Sequence, residues 1–172
     1  MEVEDDVTAY LEFENGATGV FITTTGDAPG TNRLEIVCEG GTIITDGGSI
    51  TFLKLDTPEP VFSATNKSAF ASPKIERVAL ETDGQNPQHV GVLNAFAGAI
   101  LRDEPLVADG REGINGLMMS NAMHLSAWTG KAVTLPIDEE QYRDLLFEHV
   151  KTSRRKEGIE AVFSSTEGTY NS

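Results

Sequence analysis

"DVTAYLEFENGATGVFITTT", residues 6–25, decides the fold class. Val7, Ala9, Leu11 and Phe13 alternate with Thr8, Tyr10 and Glu12. A period of two marks a half-buried strand, because successive side chains point to opposite faces of a sheet. Asn15-Gly16 follows, the strongest short-range hairpin signal, since a two-residue turn of this kind needs positive φ at both positions. "ATGVFITTT" then returns as a second strand rich in β-branched residues. The chain therefore opens on an antiparallel hairpin.

Working outward, "GDAPGTN" (26–32) makes a long turn and "RLEIVCE" (33–39) reads as a third strand. Glycine pairs at 40–41 and 47–48 punctuate two more, "TIIT" and "SITFLKL". "IERVALET" (75–82), with Ile75, Val78 and Leu80 apolar, is another. The Pro/Ser-rich stretch between them, residues 56–74, reads as a surface loop. Strand after strand with so little helix between them means an antiparallel sheet, with no βαβ alternation.

The second half is helical. A helix begins near Gln88, where Val92, Leu93, Phe96 and Ile100 recur at helical spacing. Gly91 and Gly98 weaken it as an isolated helix and call for close packing. Asp109 suits an N-cap and Gly130 a C-terminal cap for the helix between them. On a helical wheel Ile114, Leu117, Met118, Asn121, Leu125 and Trp128 share one face, while Gly116, Met119, Ser120, Met123 and Ala127 gather on the other. A helix apolar or small nearly all round reads as a buried, central one. "AVTLP" (132–136) reads as a last short strand, and Asp138 caps a final helix "EEQYRDLLFEHV". The expected architecture is α+β: a large, mostly antiparallel sheet with helices packed on one face and no Rossmann domain. One domain over 1–152 and a flexible tail over 153–172 are expected.

Thirteen basic against 27 acidic residues give a net charge of −14. Such a surface repels phosphate backbones and anionic lipid, so neither nucleic acid nor membrane is an expected partner. No apolar run is long enough to span a bilayer and "MEVEDD" is unlike a signal peptide, so the expected location is cytoplasmic. The single cysteine, Cys38, excludes an intramolecular disulfide and reads as a small buried hydrophobe.

Signatures of chemistry are few. Neither G-x-G-x-x-G nor a P-loop occurs, and neither a nucleophile elbow nor H-E-x-x-H. His89, His124 and His149 are scattered, so no metal ligands and no catalytic residues are assigned. The best candidate for binding is the turn before the third strand, where Thr31, Asn32 and Arg33 follow two glycines and a proline. The planar fork of Arg33 suits a carboxylate or hydroxyls. The plain alternative is a polar turn.

Three segments together resemble the C-terminal domain of the Gfo/Idh/MocA oxidoreductases: residues 3–21, 29–43 ("PGTNRLEIVCEGGTI") and 96–136. Their order carries the resemblance: acidic strand, Asn-Gly hairpin, E-x-x-x-x-G-G turn, helix, a helix opening on "DG", and a "V-x-L-P" segment. The family consists of NAD(P)-dependent dehydrogenases, mostly of sugars, inositols and related polyols. The resemblance implies NAD or NADP for the parent enzyme, held by an N-terminal Rossmann domain that also carries a catalytic lysine. Neither that domain nor the catalytic histidine before the first strand has a counterpart in this sequence. No cofactor is therefore expected in this chain, which would be inactive alone and serve as the substrate-side and oligomerisation domain. By the same analogy Thr31, Asn32 and Arg33 contribute to the sugar pocket, and the sheet face pairs with another subunit. A free-standing, non-catalytic binding or dimerisation module is the alternative.

Overall fold

The computed structural model describes residues 4–85 and 87–154. Six strands are formed: β1 (Asp6–Glu12), β2 (Thr18–Thr24), β3 (Arg33–Cys38), β4 (Gly41–Asp46), β5 (Ser49–Leu55) and β6 (Ile75–Leu80). Four α-helices accompany them: α1 (Glu59–Thr65), α2 (Gln88–Arg102), α3 (Gly113–Thr129) and α4 (Glu139–Thr152). Every strand pairing is antiparallel, in a two-stranded sheet β1-β2 and a four-stranded sheet β3-β4-β5-β6. The α+β architecture expected from the alternation is the one observed, with the strands divided between two sheets. The chain falls into two units, Met1–Gly26 with Pro87–Ser172, and Asp27–Asn86.

In the first unit β1 alternates strictly, Val7, Ala9 and Leu11 half-buried and their neighbours exposed. Its turn differs from the two-residue form. The Gly16 N–H donates to the Phe13 carbonyl at 2.9 Å, and Phe13 and Ala17 close the pair. Only Gly16 takes positive φ, at 83°. A three-residue loop, Glu14-Asn15-Gly16, thus replaces the tighter turn, a form in which a single left-handed glycine suffices. The Asn15 side chain accepts from the Ala17 N–H at 3.0 Å and makes an Asx turn.

Local capping chemistry sets the helix ends. Asp109 accepts from the Arg111 N–H at 2.9 Å, capping a short 3-10 turn (Gly110–Glu112) that leads into α3. Gly130 ends α3 with φ 65°, and Asp138 accepts from the Gln141 N–H at 3.0 Å to open α4. Trp128 joins α3 to α4, its ring 5.5 Å from Tyr142 and 4.7 Å from His149 between centroids. Leu125, 2 % exposed, is the one large apolar side chain that is buried among the described residues.

Several expectations change. The N-terminal turns of α3 are exposed at Ile114 and Leu117, so the helix is enclosed only over its C-terminal half. In α2 the stripe Val92, Leu93, Phe96 and Ile100 also faces outward. A Cβ at its Gly98 would meet only the movable ends of Glu104 and Arg102, whereas one at Gly91 would meet the rigid ring of Pro87. Residues 132–136 form no strand. They run on from α3, tied by the Ser126 hydroxyl donating to the Lys131 carbonyl at 2.7 Å. A strand needs a neighbour to complete its ladder, and Pro136 lacks the N–H for one.

In the second unit β3 to β6 form a meander. Gly47 and Gly48 both take positive φ, at 53° and 82°, and make the tight β4–β5 turn. At Gly41, φ is 141° and a Cβ would collide with the Leu53 carbonyl oxygen, which fixes the E-x-x-x-x-G-G pattern physically. Helix α1 stands within the stretch expected to be loop; Pro58 precedes it and Glu59 fills its first turn. Cys38 is exposed, not buried. It lies on β3, an edge strand whose six residues are all exposed. The expected flexible tail lies outside the described residues from 155 onward.

Candidate functional site

The loop singled out in the sequence leads directly into an edge strand. Gly30 takes φ 66°, and Thr31 and Asn32 follow it, both exposed and extended toward β3. Their side chains make no hydrogen bond among the described residues, so an amide and a hydroxyl stand available. Arg33 is the first residue of β3. Alternation puts Glu35 on the same face, and the β3–β4 register sets Asp46 directly opposite Arg33. The guanidinium donates to Glu35 Oε2 at 2.7 Å and to Asp46 Oδ2 at 3.3 Å. The hydrogen bond Arg33 donates to Glu35 raises its pKa most; partial desolvation opposes this, and the bond donated to Asp46 adds to the rise.

Glu35 and Asp46 were not singled out in the sequence. The signal for them was nevertheless present. Two residues apart on a strand means one face, and a hairpin closed at Glu39-Gly40 counts Arg33 onto Asp46. Together the three form a surface cluster in which one cation is shared by two carboxylates. Such a cluster is balanced or acidic, so it does not attract an anion. Thr31 and Asn32, which precede Arg33 in the chain, add a hydroxyl and an amide, and donors together with acceptors suit neutral hydroxyls.

The histidines are not brought together as a catalytic set. His124 Nδ1 stands 3.5 Å from Glu4 Oε2, and its ring lies 5.5 Å from that of Trp128. His149 lies tilted against the same tryptophan, at an interplanar angle of 34°. No group of three or more His, Cys, Asp or Glu stands where it could hold a metal ion among the described residues. The described strands pair only antiparallel, and no glycine-rich strand-to-helix turn lies among them. The parallel strand-turn-helix unit that sets a dinucleotide's pyrophosphate on a helix N-terminus is thus not among the described residues. No helix among the described residues is long and apolar enough to cross a membrane.

Residues 1–44 match the family model of the GFO/IDH/MocA C-terminal domain. Over that stretch the chain is similar to this domain. The match takes in the β1–β2 hairpin, the Thr31–Arg33 loop, all of β3 and most of β4. It covers 44 of the 172 residues. No curated protein matches the chain.

Proposed function

We propose that this chain is the substrate-side and oligomerisation domain of an NAD(P)-dependent dehydrogenase of sugars or polyols. The observation that carries the reading is the GFO/IDH/MocA C-terminal domain match over residues 1–44, which includes the Thr31–Arg33 loop. In the assembled enzyme NAD or NADP is bound by a Rossmann domain outside this sequence and supplies the hydride chemistry. This chain's part is to hold a neutral polyhydroxyl substrate. Thr31 and Asn32 bond hydroxyls, and Arg33, oriented by Glu35 and Asp46, donates to a further oxygen. Catalytic proton transfer falls to residues outside this chain, so the chain alone turns nothing over.

Assembly belongs to the same reading. The outer face of the hairpin carries Tyr10, Val20 and Ile22, which are 62 %, 66 % and 66 % exposed. Tyr10 pairs directly with Val20 in the register. An apolar face of this kind is suited to burial against a second subunit.

Kinetics of the enzyme joined to its cofactor domain test the substrate role. Arg33→Ala is expected to raise KM or lower kcat about tenfold, the loss of one charge-assisted hydrogen bond in the site. Its circular dichroism should be unchanged. Unaltered kinetics would return the loop to a polar turn.

A further inference from the structure

Between the β1–β2 hairpin and α3, within one unit of the chain, lies a cleft of about 520 Å³. Volumes of roughly 300–1,000 Å³ are those of small-molecule sites. Val7 and Phe21 line it from the strands, and Met119 and Met123 from the helix. Two hydroxyls, of Thr23 and Ser120, interrupt this apolar lining. Neither enters a side-chain hydrogen bond among the described residues. The charged side chains that line it are Glu4 and Asp6, with no lysine or arginine among them. His124 forms part of the same wall, its Nδ1 3.5 Å from Glu4 Oε2.

We propose that this cleft binds a small organic cation, an arylalkyl or alkyl primary ammonium compound. The inference does not rest on the dehydrogenase reading. Three features select that chemistry. The carboxylates of Glu4 and Asp6 attract positive charge and repel an anion, which the chain's overall −14 reinforces. The Phe21 ring and the two thioethers give a polarizable bed for an apolar or aromatic body, and methionine adapts to irregular shapes. The Thr23 and Ser120 hydroxyls accept hydrogen bonds, so an ammonium's remaining protons find partners without a buried charge being left alone.

The cleft has a built-in control. A Cβ added at Gly116, which lines it, meets nothing within 4 Å. A large side chain there starts from open space on the cleft wall and takes up cleft volume. Trp128, the chain's single tryptophan, lies in ring contact with His124 and so reports on occupancy from one residue behind the wall.

The test is a titration of the full chain with 4-phenylbutylamine, followed by calorimetry and by Trp128 emission, with 4-phenylbutyrate as the anionic counterpart. Saturable binding of the amine and none of the acid is expected. Glu4→Gln should weaken the amine by roughly fivefold, the most a half-exposed ion pair contributes. Gly116→Phe should abolish binding while the circular dichroism stays that of the parent. Absence of saturable amine binding overturns the proposal. So does equal affinity for the acid, or unchanged amine affinity in a folded Gly116→Phe chain.

Discussion

At the scale of single residues, the structure is held by short-range polar contacts whose logic is local. Asp109 is the clearest case. It bonds the Arg111 N–H and the Arg111 guanidinium, and both hold its carboxyl below the usual aspartate range, the side-chain bond more than the backbone one. A carboxyl lowered in the folded state stabilises it above the ordinary aspartate pKa and ceases to as pH falls through the lowered value. Asp109→Asn keeps a capping oxygen but loses the charge. Urea unfolding across acid pH should therefore show a shallower loss of stability for Asp109→Asn than for the parent. Parallel acid limbs would show that Asp109 contributes no such dependence. Residues of this kind were legible in advance: Asp109, Gly130 and Asp138 announce helix ends by their own chemistry and need no tertiary neighbour. Cys38 was not legible in that way. Whether a strand residue is covered depends on the strand's place in its sheet, and β3 proved to be an edge.

At the scale of elements, α3 and the hairpin carry the structural argument of the first unit. The two faces of α3 seen on the helical wheel divide labour as the wheel suggested. Gly116, Met119, Ser120, Met123 and Ala127 all line the cleft toward the hairpin. Trp128, from the other face, stacks on α4. Full burial of the helix was the part that failed, because periodicity reveals which residues share a side and not how much else covers it. Leu125 concentrates what core there is, so Leu125→Ala should cost about 2–4 kcal/mol in chemical denaturation, within the range for a buried leucine. A loss below about 1 kcal/mol would mean the site collapses freely and packs little. Helix α1 and residues 132–136 were misread for opposite reasons. A Pro/Ser-rich composition hid a seven-residue helix that starts after Pro58. An apolar alternation suggested a strand that lacks a partner to pair with.

At the scale of the whole molecule, the outward apolar side chains are the dominant physical fact. Tyr10, Val20 and Ile22 on the hairpin and Val92, Leu93, Phe96 and Ile100 on α2 remain exposed in a chain of high negative charge. The charge keeps chains in solution and apart, while the apolar faces favour association. The faces are expected to win, giving a dimer or larger species by sedimentation velocity. The double variant Val20→Lys, Ile22→Lys should sediment as a monomer. A parent chain that is monomeric at all concentrations would remove the oligomerisation half of the proposal. The antiparallel α+β class was readable from residues 6–25 and the glycine pairs, because hairpin chemistry is local. The candidate cluster was readable only as far as Arg33. Glu35 and Asp46 complete the cluster through strand register, and the cleft exists only because two distant segments, 4–23 and 116–127, face each other.

In the proposed division of labour this chain meets the substrate, and the nicotinamide is held elsewhere. Calorimetric titration of the chain with NADH, and with NADPH in the same way, addresses it most directly. The account predicts no saturable heat from either nucleotide. Binding of either one with micromolar affinity would contradict it.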